Sequence, residues 1–310
     1  MNHRVLMIGG TRFLGLSIVK PFIDKGYEVY EMNRGTRPSA KGIKEQIIGD
    51  KNDRETFAKV LHKYRWDIVI DTILDHEDLD FAIAELGNNV GHFIHTGSFG
   101  VYGEAQQIPA VESQPLQIYN GNEIVFNYKI LQDQVLMRAF QERAFPGTIL
   151  RMSYIYGAGN NPLDGWGGRS TEFFQMLRDQ KKIILPNDGK ALLHPGHVND
   201  LGRAFLHAAE HPSSIGQIYN IGGEHALMIK DYVALIADIM QIKPLIEYAP
   251  IEDVLKCYPG IVNERGMKFV CQHMCGSIAK AKRDLDWSPE ISLAVGLRDN
   301  INWMRQEKII

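Results

Sequence analysis

The chain has 310 residues, 45% of them hydrophobic and 23% charged, with a formal net charge of −3 and a pI near 6.4. That length suits one large or two modest domains around a substantial core, and the acidic balance argues against a broad nucleic-acid or anionic-membrane surface. No apolar run approaches the roughly 20 residues that span a bilayer. Three cysteines, Cys257, Cys271 and Cys275, are too few and too clustered for a disulfide framework. With no signal-peptide pattern in "MNHRVLMIGG", the expected compartment is the cytoplasm.

In chain order, "RVLMIGG" is a short apolar strand that ends in glycines. The spacing of Leu14, Ile18, Phe22 and Ile23 predicts a helix over "FLGLSIVKPFIDKG", stopped by Gly26 and bent or broken at Pro21. "YEVYEMN" reads as the second strand, "EQIIGD" as the third, "RETFAKVLHKY" as a helix and "DIVIDTI" as the fourth strand. "LDFAIAELG" is helical, "GHFIHTGS" is a fifth strand, "NYKILQDQVLMRAFQE" a long helix and "GTILRMS" a sixth strand. Strands separated by helices predict right-handed parallel crossovers, hence an α/β fold with a doubly wound parallel Rossmann sheet. After Tyr156 the pattern changes. "GAGNNPLDGWGG" is a long glycine-rich loop of a kind that is often functional. A helix around "STEFFQMLRDQ", the stretch "LLHPGHVNDLGRAFLHAAEH", a strand "QIYNIGG" and a helix "KDYVALIADIM" follow.

"GGTRFLG", Gly9 to Gly15, joins the first strand to the first helix, the context in which a glycine-rich motif binds phosphate. Gly9 permits the tight turn and Gly15 permits close helix–strand packing. The free N–H groups of the helix N-terminus suit a pyrophosphate. Gly10, Thr11, Phe13 and Leu14 complete the candidate loop. Arg12 stands where the middle glycine of the usual spacing would be, and its guanidinium can reach cofactor phosphates. The second strand ends in Asn33-Arg34 instead of the acid that would read an NAD ribose, which favours NADP over NAD. Asp50, closing "IIGD", is placed to meet the adenine edge.

Together "GGTRFLG", "TGSFGVYG", Lys129 on its helix, "LRMSYIYGAGN", "HPGHVNDLGRAF", "YNIGG" and "DLDWSP" resemble the extended short-chain dehydrogenase/reductase family, in its NAD(P)-dependent epimerase/dehydratase branch. The "GTRF" variant resembles an atypical subgroup that includes reductase-like bacterial proteins and chloroplast stem-loop RNA-binding proteins. The resemblance implies a Rossmann domain over residues 1–157, with 197–222 returning to it, and a smaller substrate part from 158–196 and 223–310. It also implies a catalytic Ser or Thr, a Tyr, and a Lys four residues after that Tyr. Lysine and the cationic nicotinamide favour the phenolate of such a tyrosine, which otherwise titrates near pH 10.

Ser98 occupies the hydroxyl position of this set, and Lys129 the lysine position, where it also meets the nicotinamide ribose. The tyrosine position is Val125, which offers no proton. Tyr128 lies next to Lys129, about 100° away around a helix, and is a low-ranking candidate phenol; Tyr119, Tyr102, Tyr154 and Tyr156 are others. On the sugar-nucleotide side, Tyr154 and Leu192 replace the asparagine and arginine that many members carry. Asp200 reads as a helix cap. "CQHMC" with Cys257 has weak spacing for zinc, and buried thiols are the simpler reading.

These residues point to an NAD(P)-binding oxidoreductase of the epimerase/dehydratase type, acting on a small molecule, a nucleotide sugar among the options. A homodimer through the lysine helix is compatible with the apolar residues Ile130, Val135 and Met137, as is core packing. Two other classes stay open: a cofactor-binding regulator without turnover, favoured by Val125, and an RNA-binding protein, disfavoured by the acidic balance.

Overall fold

The computed structural model describes residues 3–117 and 127–310. The first half runs β1 (Arg4–Ile8), α1 (Phe13–Asp24), β2 (Glu28–Asn33), β3 (Glu45–Ile48), α2 (Arg54–His62), β4 (Trp66–Asp71), α3 (His76–Leu86), β5 (Val90–Ser98), α4 (Asn127–Arg143), β6 (Gly147–Met152) and β7 (Tyr154–Tyr156). The second half runs α5 (Thr171–Arg178), β8 (Lys182–Pro186), β9 (Leu192–Leu193), β10 (Pro195–His197), α6 (Val198–Glu210), β11 (Ile218–Ile221), β12 (Leu227–Met228) and α7 (Ile229–Met240). It closes with β13 (Leu245–Ala249), α8 (Ile251–Cys257), α9 (Glu264–Val270), α10 (Ala279–Leu285) and α11 (Leu293–Gln306).

A seven-stranded parallel sheet has the order β11-β6-β5-β4-β1-β2-β3. Its strands are apolar on both sides because helices cover both faces. On one face Val5, Met7, Ile70 and Leu150 pack against Ile18 and Phe22 of α1 and Leu201 and Phe205 of α6. On the other, Leu6, Ile8, Val69 and Phe93 meet Phe57 of α2, Leu79 of α3 and Leu136 of α4. A third core joins α5, β8, α7 and α11 through Phe173, Ile183, Tyr232, Ile236 and Leu297. The strand order reverses between β4, β1 and β2, which opens a crevice at the carboxyl ends of these strands.

Pro21 does not end α1; the helix runs on to Asp24, and Gly26 follows with φ +85°. The proline has no N–H to give the Ser17 carbonyl. Gly202 of α6 packs there, and a Cβ on it would stand 2.3 Å from the Ser17 oxygen. The helices therefore cross at the carbonyl that the proline leaves open.

Asp200 does not cap α6 either. His197 does, its ring Nδ1 accepting from the Asn199 N–H at 3.3 Å. Asp200 is buried and instead holds Arg203 at 2.9 Å and accepts the Ile291 N–H at 2.9 Å. The glycine-rich loop after β7 is organised by buried Asp164, which accepts the N–H groups of Trp166, Gly168 and Ser170 at 2.8, 2.9 and 2.8 Å. No helix among the described residues is long and apolar enough to cross a membrane.

Candidate functional site

The loop from β1 to α1 is as tight as its glycines suggest. Gly9 has φ +96°, a conformation that favours glycine. A Cβ on Gly15 would lie 2.6 Å from the Gly9 carbonyl oxygen and 2.8 Å from the Gly10 backbone, so the first turn of α1 sits directly on the loop. Arg12 precedes the helix and makes no side-chain cap bond. Its guanidinium forms no ion pair among the described residues.

This loop floors a cavity of about 730 Å³ that runs along the carboxyl ends of β1, β2, β4, β5 and β6. Gly9, Thr11, Arg12, Phe13, Leu14 and Gly15 line it, as do Asn33, Arg34 and Asp50. Gly10 does not; it faces inward, against Met7 and Glu31. Arg37, Thr36 and Lys51 also line the β2–β3 end. No strand-end rule marks them in the sequence, although Arg37 lies three residues beyond Arg34 in "NRGTR". Lys51 is committed elsewhere: it pairs with buried Asp78 and lies 3.7 Å from Asp75.

At the other end the cavity is lined by Thr96, Gly97, Ser98, Lys129, Ser153 and Ile155. Ser98 closes β5, and its Oγ accepts the Gly100 N–H at 3.1 Å. Lys129 stands on the first turn of α4 and donates from Nζ to the Thr96 carbonyl at 2.9 Å. Burial pulls the Lys129 pKa below its ordinary value, against the opposing pull of Asp71 and Asp133. Below it, buried His95 Nδ1 meets Asp71 at 2.6 Å, and Thr96 Oγ1 donates to the Asp71 carbonyl at 2.8 Å.

Val125 and Tyr119 lie outside the described residues. Tyr128 does not line the cavity; it is 41% exposed, with its ring centroid 5.5 Å from Lys129 Nζ, and burial raises its pKa. Tyr102 is buried in a network in which its hydroxyl donates to Asn220 at 2.7 Å and accepts from Arg151 at 2.7 Å. Arg151 in turn pairs with Asp133 at 2.8 Å. Tyr156 is buried, and burial raises its pKa strongly. Ile130 is also buried, packed near Phe99 and Val101, while Val135 and Met137 lean on the core below α4. The exposed apolar side chains of α4 are instead Tyr128 and Leu131. Among the described residues no three His, Cys, Asp or Glu side chains gather to hold a metal ion. Burial raises the Cys271 thiol to about 11.

A profile of the NAD-dependent epimerase/dehydratase family matches residues 5–222, from β1 through the end of β11. The chain belongs to the NAD-dependent epimerase/dehydratase family. The chloroplast stem-loop binding protein of 41 kDa b from Arabidopsis thaliana is 28% identical over 97% of this chain and 79% of its own length. The dTDP-L-rhamnose 4-epimerase of Burkholderia thailandensis is 21% identical over 99% of this chain and 96% of its own. Among solved structures, UDP-glucuronic acid 4-epimerase from Bacillus cereus, in complex with a fluorinated UDP-glucuronic acid and NAD, superposes with a TM-score of 0.76. It is 20% identical and covers 98% of this chain and 99% of that one. DesIV, a dTDP-glucose 4,6-dehydratase from Streptomyces venezuelae with NAD and TYD bound, also reaches 0.76, at 19% identity and 98% coverage of both chains.

The cavity lies where the strand order of the parallel sheet reverses, the place at which doubly wound folds bind ligands. Arg12 and the start of α1 line one end of it, and Ser98 and half-buried Lys129 line the other.

Proposed function

We propose that the protein is an NADP-preferring oxidoreductase of the epimerase/dehydratase type, acting on a small hydroxyl- or carbonyl-bearing substrate. The observation that carries this is the continuity of the cavity: one space joins Gly9, Thr11, Arg12, Phe13, Leu14, Gly15, Arg34 and Asp50 to Ser98 and Lys129. A dinucleotide laid along it would meet the N-terminus of α1 with its diphosphate and Ser98 and Lys129 with its nicotinamide half. The bound group supplies hydride chemistry. The chain's own residues would hold it: Gly9, Thr11, Arg12, Phe13, Leu14 and Gly15 at the diphosphate, Asp50 toward the adenine, Lys129 at the nicotinamide ribose.

The preference for NADP rests on the β2 end, which offers exposed Arg34 and Arg37 and, among the described lining residues, no carboxylate beside them except Asp50. A 2′-phosphate suits two guanidiniums; the 2′-hydroxyl of NAD is better met by an acid. Ser98 Oγ has room to orient a substrate oxygen. Because Val125 carries no proton, the proton must come from a group other than the one the family's pattern places there. Lys129, desolvated and able to release a proton more readily than an exposed lysine, is the titratable group that the described residues put at this end of the cavity. Nucleotide sugars fit the relatives' names, and a soluble cytoplasmic protein, dimeric through Tyr128 and Leu131 on α4, fits the surface.

A second reading is favoured by Val125 itself: a regulator that binds the dinucleotide without turning over. Titrating NAD, NADH, NADP and NADPH by calorimetry, and assaying turnover on UDP- and dTDP-sugars and simple alcohols with the native protein and with Val125→Tyr, separates the two. Binding with native turnover supports the oxidoreductase. Binding without turnover, with activity gained in Val125→Tyr, supports the regulator. Failure to bind all four refutes both.

A further inference from the structure

Glu31 is an anomaly in its strand. It lies in β2 between Tyr30 and Met32, is 0% exposed, and faces the same core as Val5 and Val29. A strand buried on both faces has no ordinary place for a carboxyl group. It lies directly beneath the glycine loop: a Cβ on Gly10 would stand 2.9 Å from its Cδ. Burial raises its pKa, opposed by Ser39, Asn33 and the Ala40 N–H, and its Oε2 has no hydrogen-bond partner.

What Glu31 does hold is Asn33. The Asn33 amide nitrogen donates to Glu31 Oε1 at 3.0 Å and to Ser39 Oγ at 3.4 Å. Its Oδ1 accepts the Gly35 N–H at 2.8 Å and Gln46 Nε2 at 2.8 Å. Two donors and two acceptor sites are all that a primary amide has, so the side chain is saturated within the protein. The Gly35 N–H can only donate, which fixes the oxygen end of the amide and therefore turns its nitrogen end toward Glu31. Gln46 Nε2 also reaches the Arg37 carbonyl at 3.4 Å, which continues the chain of contacts from Glu31 into the cavity-lining turn.

We propose that Glu31 is a positioning residue for cofactor choice: by holding the Asn33 amide away from the ribose and bracing the Arg34–Arg37 turn, it hands the 2′ position to the two arginines and selects a 2′-phosphate. This rests on the NADP reading above. Glu31 touches no cofactor atom itself. Its effect passes through Asn33 and Gln46, and Asn33 lines the cavity without offering a free polar atom to it.

The test is the ratio of NADH to NADPH dissociation constants, measured by calorimetry. Glu31→Val removes the acceptor, frees the Asn33 N–H to meet a 2′-hydroxyl and loosens the arginine turn, so the ratio falls about tenfold, the worth of one hydrogen bond gained or lost. Glu31→Gln keeps an acceptor oxygen and keeps the ratio within about twofold. An unchanged ratio in Glu31→Val, or an equal loss of both affinities as a purely structural role would give, overturns the inference. If Glu31→Val does not fold, Asn33→Ala carries the same test, because it deletes the amide that Glu31 holds; a ratio that stays at the native value overturns the proposal equally. A native protein without preference for NADPH overturns the NADP reading instead, and is seen before either variant is made.

Discussion

His92 allows the acid stability of this protein to be worked from one contact. It is buried in β5, with Nε2 2.7 Å from Thr148 Oγ1. That hydroxyl donates its own proton to the Ser214 carbonyl at 2.7 Å, so His92 must be the donor to Thr148 and its Nδ1 is bare. Protonating Nδ1 places a charge in a buried strand, and burial lowers the His92 pKa to about 4 from 6.5. The folded value lies below the unfolded one. The stability due to neutral His92 is therefore complete above pH 6.5, declines as pH falls, and is gone below pH 4. At 1.36 kcal/mol per unit the full loss is ~3 kcal/mol, of which ~2 kcal/mol has gone by pH 5. Urea unfolding at pH 7.5 and pH 5, on the native protein and on His92→Gln, isolates this group, since every other titration is common to both. The native protein should lose ~2 kcal/mol more than the variant between the two pH values. Equal losses would refute the burial argument.

Gly15→Ala forces a methyl group against the Gly9 carbonyl oxygen and should weaken NADPH binding by tenfold or more with little change in circular dichroism; undiminished affinity in calorimetry would contradict the loop geometry. Lys129→Ala should weaken binding of intact NADPH about tenfold, as the loss of a charged hydrogen bond does, and leave 2′,5′-ADP binding unchanged, because the lysine serves only the nicotinamide half. Gly202→Ala should cost ~2–3 kcal/mol by overpacking the α1–α6 crossing, read as a lowered melting temperature, with cofactor affinity per folded molecule preserved.

Much of the fold was legible because it is periodic. Short apolar strands ending in glycine and helices with one apolar side announce the alternation, and each predicted strand of the first half has its counterpart from β1 to β6. The glycine loop was readable because its backbone geometry demands glycine, and Ser98 and Lys129, singled out by the family resemblance, line the same cavity. Pro21 lies inside a helix that continues to Asp24, and Gly202 packs close to the Ser17 carbonyl one turn before it, a contact that no local rule encodes. Asp200 misled because its sequence position suits a cap, while its partners are Arg203, one turn on along the same helix, and the N–H of Ile291, far away in sequence. Asn33 showed its position at the strand end but not that four partners from Glu31, Gly35, Ser39 and Gln46 saturate it. Arg37 and Thr36 were invisible for the same reason: a turn's side chains are aimed by contacts that no spacing encodes.

The parallel pairing of β11 with β6 has a consequence for how the chain comes off the ribosome. The cavity's lining is complete once Ile155 has been made. β6 then has β5 on one side and nothing on the other, and Arg151 still lacks the Tyr102–Asn220 link that steadies it. Until Ile221 emerges, the residues that line the cavity stand beside a bare strand edge, the kind of edge at which chains associate wrongly, and until Glu210 α1 also lacks the α6 face it packs against. A dinucleotide that binds at this stage stabilises the half-made sheet by mass action during the interval when it is most exposed.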